Sequence, residues 1–175
     1  MTLGAYDAYR LEARLVETAD RTGAPTQDPR SHFFGWPFDD FRASLRELQD
    51  EIENRAYLAI VAEAEGVIQL DFRALARGRR RVVLCKQARR SLALEGQGRR
   101  RVDFALILEE WKRLPLIRKD AISEFKQLLP HRHWLAHGRH FRRSTGIPNV
   151  PGFAQQRARA LFEELARMDP DFPRS

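Results

Sequence analysis

The sequence predicts an all-α fold, a helical bundle with one long central helix and a short helix that carries a histidine-rich motif. Apolar residues recur at steps of three and four in several separate segments, the period of a helix that buries one face. Proline and glycine separate these segments. Val82, Val83 and Leu84 would suit a short strand, but the arginines and alanines around them favour helix.

The first part of the chain predicts two helices joined by a loop. Residues 5–20 place apolar residues between charged ones with the spacing of an amphipathic helix, and a proline-rich loop follows at about 22–38. The long helix opens at Asp39 or Asp40, which are good capping residues, and runs into the sixties. Apolar residues almost surround it over residues 56–62, which predicts a place in the core or at a subunit interface. Its apolar stripe comprises Phe41, Leu45, Leu48, Ile52, Ala56, Ala59, Ile60 and Val67.

The second part of the chain predicts shorter helices punctuated by Pro115, Pro130 and a loop rich in proline and glycine. The histidine-rich motif begins directly after Pro130. The predicted segments are, in order, a region that favours helix at 68–98, helices at 102–113 and 117–129, a loop at 144–152, a helix at 153–168 and a frayed tail at about 169–175.

The composition predicts one globular domain. The chain has 175 residues, of which 43% are hydrophobic and 31% charged, enough for a single domain over residues 1–175 with a real core. No apolar stretch approaches the roughly 20 residues of a membrane helix, so a membrane is not an expected partner. The first residues lack a basic segment followed by an apolar run, which predicts a cytoplasmic location. The single cysteine, Cys85, excludes an internal disulfide and is expected to be a small core residue.

The net charge of +7 comes from arginine, since only four of the 31 basic residues are lysine. A polyanionic partner such as RNA is one explanation. The other is a GC-rich genome, which enriches arginine codons whatever the function. If the partner is RNA, two basic clusters are the expected phosphate contacts. They comprise Arg79, Arg80 and Arg81, and Arg139, His140, Arg142 and Arg143.

The segment from His131 to His140 is the most informative part of the sequence. It reads HRHWLAHGRH and holds four of the five histidines beside Arg132 and Arg139. Histidine is the side chain that titrates nearest neutral pH, so two neighbouring imidazoles can supply an acid and a base without a metal or other cofactor. Arginine adds a forked cation suited to phosphate oxygens. The combination points to cleavage of a phosphodiester.

Helix geometry limits how these side chains can meet. Positions four apart on a helix differ by about 40° and positions five apart by about 140°. His133 and His137 therefore share a face, whereas Arg132 is turned away from His137. For all three to meet one phosphate, the helix has to begin or bend near Pro130, or a second subunit has to complete the site. Pro130 suits a first helical turn, where free backbone N–H groups also attract phosphate.

The stretch RHWLAHG, placed after an amphipathic helix in an all-α chain, resembles the HEPN superfamily. Its members are helical bundles marked by an arginine, a polar residue directly after it, and a histidine four to six positions on. The matching residues here are Arg132, His133 and His137. The residue after the arginine is often asparagine in that family, and Arg139 stands where some toxin members have a tyrosine. The specific match covers about residues 130–138.

The resemblance implies a metal-independent endoribonuclease, in the class of toxins and phage-defence effectors, with its active site between the two subunits of a homodimer. It also implies an antitoxin or a nucleotidyltransferase as a candidate partner. In the mechanism that we hypothesise, His137 is the general base on the ribose 2′-hydroxyl and Arg132 stabilises the phosphoryl oxygens. His133 orients the phosphate or protonates the leaving 5′-oxygen. The product is a 2′,3′-cyclic phosphate, DNA is inert, and the two histidines can exchange roles.

Other interpretations of the motif stay open at this point. The histidines can be structural, with His133 or His137 capping a helix or forming a hydrogen bond in the bundle. His133 and His137, with His131 and His140 close by, can bind zinc, although no cysteine or carboxylate has ligand spacing and the nearby arginines repel a dication. A HEPN-like bundle can also bind nucleic acid or a partner protein without cutting.

Two further features bear on the motif. Glu63 and Glu65 on the long helix are expected to face solvent, with a salt bridge that holds Arg132 in place as the alternative. The aromatic segment at the end of the first loop is expected to pack over the core as a clasp, with stacking on bases as the alternative. Its residues are His32, Phe33, Phe34, Trp36 and Phe38.

Overall fold

All regular structure in the described part of the chain is helical, which confirms the predicted all-α fold with one long helix and a short helix that carries the motif. The computed structural model describes residues 37–76, 86, 90, 93, 104–114, 117–137, 150–169 and 171–172. The helices are α1 (Phe38–Ala76), α2 (Phe104–Lys112), α3 (Lys119–Lys126), α4 (Leu129–Ala136) and α5 (Pro151–Met168).

Helix α1 is 39 residues long and organises the bundle. It opens with Asp39 and Asp40 in its first turn, where carboxylates favour the positive end of the helix dipole. It continues past the predicted end in the sixties because Ile68, Phe72 and Leu75 extend its buried face at steps of four and three. Helices α2, α4 and α5 pack against α1, and α3 packs between α2 and α5.

The buried face of α1 only partly matches the predicted stripe. Leu45, Ile52, Ala56 and Ile60 are buried as predicted, whereas Leu48 is 41% exposed. Around residues 56–62 the face rotates onto residues that the stripe omitted, and Ala59 and Ala62 are exposed. The core therefore does not surround the helix at residues 56–62, because some of its apolar side chains there are exposed. The omitted buried residues are Tyr57, Val61 and Ala64.

The break between α3 and α4 falls before the predicted one. We predicted that one helix runs to Leu129 and stops at Pro130, but α3 ends at Lys126 and Leu129 is the first residue of α4. Pro130 lies in the first turn of α4, where the missing N–H of proline costs no helical hydrogen bond. Leu128, fully buried, links the two helices, and its N–H donates to the carbonyl oxygen of Phe125 at 2.9 Å.

The C-terminal segment is packed where we predicted fraying. Phe172 is 2% exposed, and its ring lies against Phe162 with centroids 5.6 Å apart. Asp169 folds the chain back: its N–H donates to the carbonyl oxygen of Leu165, its own carbonyl accepts from Phe172, and its carboxylate accepts from the N–H of Asp171. The frayed tail is therefore wrong for residues 169, 171 and 172, because this turn buries an aromatic side chain.

A buried carboxylate joins the start of α3 to α5. Glu164 is 6% exposed and accepts a hydrogen bond from the backbone N–H of Arg118 at 2.8 Å, while the guanidinium of Arg167 binds it from one turn further along α5. The hydrogen bond from Arg167, followed by that from Arg118, holds the pKa of Glu164 below its ordinary value against the effect of burial. Ionised Glu164 therefore stabilises this junction.

Several predictions fall on residues outside the described ranges. They include the helix at 5–20, nearly all of the loop at 22–38 with its aromatic segment, and Cys85. In the region 68–98 that favoured helix, α1 continues to Ala76, and Lys86, Arg90 and Ala93 are helical. Every helix in the described part of the chain is too short or too polar to cross a bilayer.

Candidate active site

Helix α4 presents the motif over its eight residues and its C-cap. It begins at Leu129 with Pro130 in the first turn, which is one of the arrangements that the motif spacing left open. His137 is the C-cap residue, and its N–H donates to the carbonyl oxygen of His133 at 3.1 Å. This last hydrogen bond fixes the two histidines one turn apart.

The imidazoles of His133 and His137 are neighbours on the exposed face of α4. Their ring centroids lie 4.1 Å apart, with the ring planes tilted by 55°, and both residues are exposed. The predicted shared face is therefore confirmed. Two imidazoles this close can serve two adjacent atoms of one bound group, one by accepting a proton and the other by donating one.

Arg132 is held against α1 by the carboxylate of Glu65. Its Nη2 lies 3.2 Å from Oε2 of Glu65, and the two side chains are 30% and 15% exposed. Glu65 thus forms the salt bridge with Arg132 that we gave as the alternative, instead of facing solvent. The Nε of Arg132 is buried and makes no hydrogen bond within the described part of the chain. The guanidinium therefore lies at the junction of α1 and α4, restricted in orientation by its ion pair.

His131 belongs to the opposite, packed face of α4. It is 3% exposed, its ring meets Tyr57 of α1 edge-on at 4.7 Å between centroids, and it stacks on Trp134 at 5.4 Å. The buried, structural histidine is therefore His131, whereas the structural interpretation named His133 or His137. Because this ring is enclosed by aromatic side chains, it is not available as a third ligand beside His133 and His137.

Tyr57 is a residue that supports α4 and that the sequence interpretation missed. Its hydroxyl donates to the carbonyl oxygen of Leu128 at 3.2 Å, directly before α4, while its fully buried ring supports His131. The available signal was a tyrosine within the most apolar turn of α1, since a buried tyrosine hydroxyl needs a hydrogen-bond partner. Tyr57 and Glu65 together fix α4 to α1 at two points.

The predicted RNA-contacting residues lie outside the described ranges. They are Arg79, Arg80, Arg81, Arg139, His140, Arg142 and Arg143. Within the described ranges, no group of three or more histidine, cysteine, aspartate or glutamate side chains is placed to hold a metal ion.

The structure thus brings together the two exposed imidazoles of His133 and His137, whereas the guanidinium of Arg132, next to His133 in sequence, pairs with Glu65 on α1. No family model, curated protein or solved structure matches this chain. The function is therefore inferred from these groups. Imidazoles are suited to proton transfer and the guanidinium to binding of an anionic oxygen, and phosphodiester cleavage needs both.

Proposed function

We propose that the protein is a metal-independent endoribonuclease of the HEPN type that acts as a toxin or phage-defence effector. The observation that supports this proposal is the pair of exposed imidazoles, 4.1 Å apart between centroids, on the helix that also carries Arg132. The basic composition, with a net charge of +7, favours a polyanionic substrate.

In the proposed reaction, His137 removes the proton from a ribose 2′-hydroxyl, and the resulting oxygen attacks the adjacent phosphorus. The bond from phosphorus to the 5′-oxygen breaks, and His133 gives that oxygen a proton. The products are a 2′,3′-cyclic phosphate and a 5′-hydroxyl end. The same geometry serves with the two roles exchanged, because both rings are exposed on one face of α4.

Arg132 stabilises the negative charge that gathers on the non-bridging oxygens as phosphorus becomes five-coordinate. Glu65 acts on the reaction through Arg132: by binding one amino group, it restricts the guanidinium to one orientation before RNA arrives. In this proposal Glu65 is a positioning residue. The half-buried ion pair also keeps Arg132 from folding onto another acceptor.

A homodimer extends the proposal, because a regular helix turns Arg132 by about 140° from His137. An Arg132 from one subunit can complete the histidine pair of the other if the two α4 helices face one another. RNA is the proposed substrate, and an antitoxin or a nucleotidyltransferase is the proposed protein partner.

The decisive experiment uses a DNA oligonucleotide that contains one ribonucleotide, in buffer with EDTA. We expect cleavage only after that ribonucleotide, a 2′,3′-cyclic phosphate end, and no cleavage when its 2′-oxygen is methylated. Separate His133→Gln, His137→Gln and Arg132→Lys variants should each lose about 10²- to 10⁴-fold in rate, the usual contribution of acid–base and charge-stabilising groups. Gln127→Ala, an exposed change just before α4, is the matched control.

Three outcomes contradict the proposal: fragments with a 5′-phosphate, loss of activity in EDTA, or full activity in the His137→Gln variant. Binding of RNA without cleavage supports the alternative, a HEPN-like helical protein that binds nucleic acid without cutting. Fragment ends are identified by mass spectrometry, and binding is measured by fluorescence anisotropy of the same labelled oligonucleotide.

A further inference from the structure

We infer that His133 and His137 also form a two-histidine binding site for a late first-row transition-metal dication, with Zn²⁺ as the probe, and that the bound ion blocks the proposed nuclease. The metal-binding half stands on the geometry of the histidine pair. The inhibitory half rests on the proposed function. In this role the metal is an inhibitor, in contrast to the cofactor role that the zinc alternative would give it.

The two rings are near enough to chelate a single ion after small rotations. Zinc binds imidazole nitrogen at about 2.0–2.1 Å in a tetrahedral arrangement, so two nitrogens on one ion lie about 3.4 Å apart. The ring centroids of His133 and His137 are 4.1 Å apart and tilted by 55°. Both side chains are exposed, so small rotations about their torsions can turn one nitrogen of each ring towards a shared point.

The ligand type selects the class of metal. Imidazole nitrogen suits Zn²⁺, Ni²⁺ and Cu²⁺, whereas Mg²⁺ requires oxygen ligands in an octahedral arrangement. Two protein ligands leave the remaining positions of the ion to water, so the site is open and the ion exchanges. The contact of Arg132 with the Glu65 carboxylate offsets part of the positive charge that opposes a dication next to His133.

Metal binding and acid–base catalysis compete for the same nitrogen atoms. A nitrogen whose lone pair is bound to zinc cannot accept the 2′-hydroxyl proton, and it cannot carry a proton to the leaving oxygen. One ion therefore removes the acid and the base together. A chelator should therefore restore cleavage by the zinc-bound protein, whereas a chelator inactivates a zinc enzyme.

Binding is tested first, without RNA, by isothermal titration of the full chain with Zn²⁺ and, separately, with Mg²⁺. We expect Zn²⁺ to bind and Mg²⁺ to give no signal. His133→Gln and His137→Gln should each weaken Zn²⁺ binding by at least about tenfold, since each removes one of two ligands. Gln127→Ala, the exposed change just before α4, should stay within about twofold of the parent. Unchanged affinity in either site variant overturns the inference, as does binding of Mg²⁺ with the affinity of Zn²⁺.

Inhibition is tested on the oligonucleotide with one ribonucleotide. Zn²⁺ should stop cleavage over the concentration range in which it binds, and excess EDTA should restore the rate. If the protein cleaves but zinc at the histidine pair leaves the rate unchanged, the inhibitory half is wrong. If the protein does not cleave without metal, the proposed function fails, and the titration still decides whether the metal site exists.

Discussion

His131 and His133 lie two residues apart on α4 and have opposite environments. His131 is 3% exposed between the rings of Tyr57 and Trp134, whereas His133 is exposed beside His137. Two helical positions differ by about 200°, so one of these histidines faces α1 when the other faces solvent. The same residue type is thus a packing group at one position and a candidate acid or base at the next but one. The phase of α4 relative to α1 decides between the two.

The largest expected effect is the difference in the free energy of unfolding between substitutions of His131 and of His133. His131→Ala removes a buried ring from two aromatic contacts and should lower the free energy of unfolding by about 2–4 kcal/mol. His133→Ala should change it by no more than about 0.5 kcal/mol, because the residue is exposed. Urea denaturation followed by circular dichroism measures both.

Cleavage activity completes this test. Per folded molecule, the His131→Ala variant should keep its activity below its unfolding transition, and the His133→Ala variant should lose it. Equal destabilisation by the two changes would show that the two faces of α4 are not distinct.

The helical periods could be predicted from the sequence, but the ends of the helices depend on contacts that the sequence does not reveal. Apolar spacing predicts α1, α2 and α5 because burial of one face imposes the helical period on the side chains. Pro130 is compatible with either the end or the start of a helix. The position of the break depends on Leu128, which is fully buried and lies in the link between α3 and α4. Phe172 could not be predicted as buried, because its position depends on the Asp169 turn.

Within the site, the geometry along α4 could be predicted from the sequence, whereas most contacts between α4 and α1 could not. The pairing of His133 with His137 follows from their spacing of one turn. The choice of Glu65 over Glu63 as the partner of Arg132 depends on how α4 crosses α1, which no local pattern encodes. The same holds for Tyr57, whose hydroxyl reaches across to Leu128.

The ion pairs of Glu164 with Arg167 and of Glu65 with Arg132 also differ in kind. Glu164 with Arg167 is structural, and its lowered pKa means that its ionisation stabilises the fold above the unfolded-state pKa. That contribution is lost as the pH falls through the lower pKa of the folded state. Glu164→Gln should therefore cost about 1–3 kcal/mol at pH 7 and flatten the fall in stability on acidification. Thermal unfolding between pH 7 and pH 3 checks this, and parallel curves for parent and variant would contradict it.

Glu65 should behave differently, because its partner serves the proposed reaction. Glu65→Gln keeps the shape of the side chain but weakens its hold on Arg132, and we expect kcat to fall about tenfold with KM within about twofold. Glu63→Gln, two residues away on the same helix, is the matched control and should leave both constants unchanged. Steady-state cleavage of the single-ribonucleotide substrate measures the split. A rise in KM alone would place Glu65 in substrate binding.

Tyr57 and Glu65 belong to one uninterrupted helix, and eight residues of backbone set the distance between them. Inserting a single residue between them would advance one by about 1.5 Å and turn it by about 100° relative to the other. Leu128 and Arg132 could then not both keep their partners. Length variation among functional relatives is therefore expected in the connecting loops and excluded from this stretch of α1.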